Sequence, residues 1–100
     1  MKYDKLVRNR IPDIIRAKGG QPKTHTASET EYAAKLTEKL REEVEEFLRD
    51  RNPEELADIL EVVKALAETQ GRKLEDIERM RVEKEEERGG FDERIILEES

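Results

Sequence analysis

One hundred residues, 34% hydrophobic and 46% charged, make one small domain with a thin core and a heavily solvated exterior, too little chain for two folded domains. The formal net charge of −6 combines 20 basic with 26 acidic residues, and Cys is absent, which excludes a disulfide framework, thiolate-bound zinc and a thiol nucleophile. The single His excludes a His-rich metal site. The longest apolar runs, such as Ile95-Ile96-Leu97, fall far short of the ~20 residues of a spanning helix. The opening Met1-Lys2-Tyr3-Asp4-Lys5 has no apolar stretch of the signal-peptide kind. The expectation is a soluble, cytoplasmic protein.

Charge is unevenly distributed along the single domain. Residues 1–27 form a basic N-terminal arm of net charge +5, residues 28–100 carry −11, and the two halves should attract. A nucleic-acid polymer is not expected as partner, because the acidic body repels phosphate backbones and only four aromatic residues are present for stacking. In chain order, Ile11-Pro12 opens and Gly19 closes a helix of about two turns. The segment 19–27 has no period and reads as a loop containing His25, which has no placed partners. Ser28 and Glu31 form an S-x-x-E capping box ahead of a helix running to about Asp50, with apolar positions Ala33, Leu36, Leu40, Val44, Phe47 and Leu48. Asn52-Pro53 caps the next helix, whose stripe is Leu56, Ile59, Leu60, Val63, Leu66 and Ala67, ending before Gly71. The short connection predicts an antiparallel hairpin with stripe facing stripe. A third long helix, 73–88, has a weaker stripe in Leu74, Ile77 and Met80. The tail 89–100 begins at Gly89-Gly90, and its stretch 91–97 reads as a short strand or an extended docking segment. The fold class is all-α, with a helical core at 28–88, and the thin stripes predict an oligomer.

The acids of the hairpin carry the informative signal. Glu42-Glu43-Val44-Glu45-Glu46 is E-E-x-x-E and Glu55-Leu56-Ala57-Asp58 is E-x-x-D, each with two carboxylates three residues apart on one helix face. At ~100° per residue, Glu43 and Glu46 occupy the same shoulder of the first stripe that Glu55 and Asp58 occupy on the second. In an antiparallel hairpin both shoulders project to one side, at heights differing by roughly 3 Å. The four carboxylates should therefore converge. Ionised and partly desolvated they need a counter-cation, and all-oxygen ligation selects a hard ion such as Mg²⁺ or Mn²⁺. Two plainer roles compete: a solvated acidic face, and for Glu55 the reciprocal position of an Asn52 N-cap.

These residues resemble the all-alpha NTP pyrophosphatase superfamily, the MazG-like and phosphoribosyl-ATP pyrophosphohydrolase group. The opening Tyr3-Asp4-Lys5-Leu6-Val7-Arg8-Asn9-Arg10-Ile11-Pro12 and the ending Lys84-Glu85-Glu86-Glu87-Arg88-Gly89-Gly90-Phe91 look like its small, single-domain house-cleaning branch. The resemblance implies a MazG-like bundle, a homodimer or higher oligomer, and Mg²⁺-dependent hydrolysis of a nucleoside triphosphate between the alpha and beta phosphates. By position it implies Glu43, Glu46, Glu55 and Asp58 as metal ligands, with Glu42 orienting water or a second ion. Hydrolysis of phosphoribosyl-ATP in histidine biosynthesis is the alternative on the same scaffold, and a non-catalytic helical interaction module is the alternative outside it.

The chemistry of the residues is consistent with that implication. A polyanionic triphosphate needs its charge neutralised before water can attack. Glu43 or Glu46 is placed to take the proton of the attacking water. Lys5, Arg8 and Arg10 of the arm, with Lys84 and Arg88 of the last helix, are the candidate cations for the outer phosphates. Their plainer role is ion pairing with the acidic body. Phe91 or Tyr3 is the candidate for stacking on a base, since Phe47 lies on the core stripe.

Overall fold

In a computed structural model, which describes residues 4–100, the chain forms four helices and, among the described residues, no strand: α1 Ile11–Ala17, α2 Glu29–Asp50, α3 Pro53–Thr69 and α4 Leu74–Arg88. The starts and stops follow local chemistry. Ser28 Oγ accepts from the Glu31 amide at 3.2 Å, and Asn52 Oδ1 accepts from the Glu54 amide at 3.0 Å, each satisfying a donor that the first helical turn leaves open. The reciprocal halves expected of Glu31 and Glu55 are not what these side chains do. Glu31 accepts from His25 at 2.8 Å, which gives the loop histidine a partner, and Glu55 leans toward Asp50. Between α2 and α3, Arg51 takes the left-handed conformation with φ 57° and lays its guanidinium 5.6 Å from the centre of the Phe47 ring, a contact that helps hold a non-glycine residue there. Gly71, at φ 71°, turns the chain out of α3, and the Arg72 amide then bonds the Ala67 carbonyl at 2.9 Å.

The antiparallel hairpin of α2 and α3 is the body of the molecule. Its interior differs from the expected meeting of two apolar stripes. The buried and half-buried residues of α2 include Leu36, Lys39, Glu43, Glu46 and Phe47, and those of α3 include Glu55, Asp58, Ile59, Val62 and Leu66. At ~100° per residue each helix is turned by roughly 80–100° from the stripe-to-stripe arrangement. Leu36, Ile59, Val62 and Leu66 fill the seam, while Val44, Leu48, Leu56 and Leu60 are left exposed, Leu48 at 55% and Leu60 at 56%. Because the helices are antiparallel and both turn in the same sense, these four apolar residues share one face of the hairpin. The acids, placed on the stripe's shoulder by sequence, are drawn between the helices. The physical reason is that each apolar arc is too broad for one contact, and basic side chains stand ready to neutralise the acids.

Among the described residues α4 meets α3 alone of the helices. Leu74 and Ile77 of its first turns are half-buried, whereas Met80 is exposed and every residue from 78 to 100 is exposed. The tail turns at Phe91, where Arg94 bonds the Phe91 carbonyl at 3.1 Å, and continues without helix or strand. The molecule measures 57 × 32 × 23 Å with a radius of gyration of 17.6 Å, against ~13 Å for a compact domain of this length. Its accessible surface is 9301 Å², against about 5,900 Å² for a compact monomer of its mass. No helix among the described residues is long and apolar enough to cross a membrane.

Leu36 is 1% exposed and the only large side chain buried this completely among the described residues. Leu36→Ala is expected to cost about 3 kcal/mol in urea unfolding, whereas Leu60→Ala, at an exposed position, should cost under about 0.5 kcal/mol in the isolated chain. Equal losses would contradict the rotated seam.

Candidate active site

The acidic pairs of α2 and α3 meet in the lower part of the hairpin, near the Arg51-Asn52 turn. Glu43 is 6% exposed, and its Oε2 is buried without a hydrogen-bond partner. Burial pushes its carboxyl above the ordinary glutamate value, Lys39 pulls the other way, and the charges of Glu46 and Asp58 push it further up. Glu55 also has a buried Oε2 with no partner. Its carboxyl is pushed up by loss of water first, then by the charge and hydrogen bond of Asp50 and the charge of Glu46. Glu46 thus links the two, acting on Glu43 along its own helix and on Glu55 across the hairpin. All four acids lie on one side of the fold and act on one another. They are not drawn to ligating distance: among the described residues no three acidic or histidine side chains form a group that could hold a metal as they stand.

Cations approach the cluster from two directions. Lys39 lies one turn before Glu43 and holds Glu43 Oε1 at 3.3 Å and Glu42 Oε1 at 3.6 Å. The basic arm crosses the hairpin, with Arg8 Nη2 2.8 Å from Asp58 Oδ1 and Lys5 Nζ 3.4 Å from Glu42 Oε1. Lys35 fixes its path by donating to the Asp4 carbonyl at 2.7 Å. The arm therefore lies on the acids of its own chain. By the helical positions of Glu42 and Asp58, it covers the face opposite the exposed leucines. The Arg8–Asp58 pair is half-exposed, so it is worth only about 0.2–1 kcal/mol and is easily exchanged.

Of the sequence candidates, the fold gathers Glu42, Glu43, Glu46, Glu55, Asp58, Lys5 and Arg8. Arg10 is instead the N-cap of α1, and no ion pair among the described residues joins Arg10, Lys84 or Arg88 to the acids. Lys84 and Arg88 lie on the exposed half of α4. Phe91 is 99% exposed, and Tyr3 lies outside the described residues. Sequence reasoning missed Lys39 and Asp50. Lys39 was legible, since it stands four residues before Glu43 on the same helical row, whereas Asp50 reaches Glu55 only through the geometry of the turn.

Two partly buried carboxylates with unpartnered oxygens, beside two more carboxylates, are a donor set suited to a hard divalent cation. The orphaned Glu43 and Glu55 oxygens are where such an ion would relieve the largest cost. Side-chain rotation and release of Lys39 or Arg8 would have to bring the remaining oxygens in.

Comparison with known proteins adds no function. No family model matches the chain, and no solved structure matches it significantly. An uncharacterized protein of Mycolicibacterium smegmatis is 55% identical over 42 residues, which are 42% of this chain and 43% of that protein. The chain thus matches less than half the length of that relative.

The upward shifts at Glu43 and Glu55 fix a sign for the pH dependence. A carboxyl whose folded pKa is raised favours folding below the ordinary glutamate value, and that contribution is lost as pH rises through the folded value. In metal-free buffer the melting temperature should rise as pH is lowered from neutral to about 5, and Glu43→Gln should flatten that rise. A Glu43→Gln protein with the full slope would remove Glu43 from the strained set.

Proposed function

We propose that the protein is a Mg²⁺-dependent nucleoside triphosphate pyrophosphohydrolase that releases nucleoside monophosphate and pyrophosphate, working as a homo-oligomer with a MazG-like site. The observation that supports this reading most is the burial of Glu43 and Glu55, each with an unpartnered oxygen, in one electrostatic group with Glu46 and Asp58. A structural salt-bridge network would satisfy those oxygens.

Glu43, Glu46, Glu55 and Asp58 are the residues that would hold the ion. When bound, Mg²⁺ supplies charge neutralisation and orientation of the phosphates. The chain's own residues do the rest. Arg8 and Lys5 lie on the rim of the acidic group, and each can leave a carboxylate for a phosphate oxygen, since their present ion pairs are solvent-accessible and weak. Arg8 offers a planar fork suited to two phosphate oxygens. Glu43, with its basicity raised by burial, is the better proton acceptor for an attacking water, and Glu46 is the second choice. Glu42 holds Lys5 and Lys39 and so positions cations at the rim.

A second reading has its own observation. The Arg8–Asp58 pair is also what a purely structural arm would make, and a non-catalytic helical module would use the acids in this way. Release of pyrophosphate from a panel of nucleoside triphosphates, with and without Mg²⁺, separates the two. Metal-dependent turnover is expected, with Glu43→Gln and Asp58→Asn reduced at least ~100-fold and Arg8→Ala raised mainly in KM. Absence of turnover with every nucleotide, together with indifference of the melting temperature to Mg²⁺, favours the module.

A further inference from the structure

The chain leaves two apolar surfaces uncovered. One is the hairpin face of Val44, Leu48, Leu56 and Leu60; the other is the tail, where Ile95, Ile96 and Leu97 are each about four-fifths exposed. We infer that the second half of α4 and the tail form an exchange arm, and that the tail of one copy seats on the open hairpin face of a second copy of this chain.

Area is the first argument. The 9301 Å² surface exceeds that of a compact monomer by about 3,400 Å². That is more than the ~1,000–2,500 Å² each partner contributes to an obligate dimer interface. One hairpin face alone is too small to account for the excess, and the projecting arm supplies the rest.

Repeat distance is the second. In extended chain Ile95 and Leu97 point the same way about 6.6 Å apart, and one turn of helix separates Val44 from Leu48 and Leu56 from Leu60 by about 6 Å. Alternate tail side chains therefore keep step with the leucine rows.

Charge is the third. Residues 91–100 carry Asp92, Glu93, Glu98 and Glu99 against Arg94 alone, a net of −3. The helical positions of Arg41, three residues before Val44, and Lys64, four after Leu60, put a basic side chain on each outer border of the open face. Among the described residues neither has an ion-pair partner. An acidic, apolar strip thus meets an apolar face bordered by Arg41 and Lys64, with the exposed Glu45 one turn beyond Arg41.

The inference stands independently of metal binding. Its test uses full-length chains, which contain no native cysteine. Leu60→Cys chains and Leu97→Cys chains of distinguishable mass are mixed and mildly oxidised at micromolar concentration. The expected product is the mixed covalent dimer, in at least tenfold excess over either homodimer. In sedimentation, wild type should run as a dimer or higher, and Leu97→Asp and Leu60→Asp should each run as monomer. A monomeric wild type, a Leu97→Asp protein that stays dimeric, or cross-linking confined to Leu60→Cys homodimers would overturn the arm. A magnesium-induced melting shift retained in Leu97→Asp would show that a failure here is separate from a failure of the acidic site.

Discussion

A carboxylate held between two helices is the constraint on which the rest of this structure turns. Glu43 occupies a seam position that in an ordinary hairpin belongs to leucine, and an uncompensated charge there costs several kcal/mol. Lys39 offsets part of that cost through Glu43 Oε1, while Oε2 has no partner. The arm then settles over Asp58 and Glu42 because the acids drawn in beside Glu43 leave that side of the hairpin strongly negative. A basic N-terminal segment and an acidic body are thus two halves of one electrostatic arrangement, with the unpartnered Glu43 oxygen at its centre.

The same rotation that brings the acids inward sends leucines outward. Turning each helix by roughly 80–100° from the stripe-to-stripe arrangement exchanges Leu56 and Leu60 for Glu55 and Asp58 in the seam. The molecule gives up hydrophobic burial within the chain and leaves an apolar face open. The acidic group and the open leucine face are therefore two consequences of one helical register. A chain that put all its leucines inside would have a better core and no acidic group.

Much of this was legible in the residues. The Ser28 and Asn52 side-chain caps, the short turn between α2 and α3 and the stop before Gly71 come from local chemistry that tertiary contacts do not override, and these appear as expected. That Glu43, Glu46, Glu55 and Asp58 share a side follows from spacing. What spacing could not give is which part of a broad apolar arc makes the intramolecular contact, because the arc is wider than one helix–helix contact covers. The exchange of Glu31 from Ser28 to His25, and of Glu55 from Asn52 to Asp50, turns on side-chain choices between nearly equal partners. Lys84 and Arg88 are grouped with the acids only by the need of a triphosphate for cations, whereas within one chain the exposed half of α4 keeps them apart.

Titration of Mn²⁺ into the full-length chain, followed by electron paramagnetic resonance, tests the central claim most directly, since bound and free ion differ in signal without any nucleotide present. Saturable binding that is lost in Glu43→Gln and survives in Glu61→Gln, an exposed acid on α3, is the result this account requires. Free-ion signal throughout, or binding indifferent to Glu43, would mean that the buried carboxylate serves the fold alone.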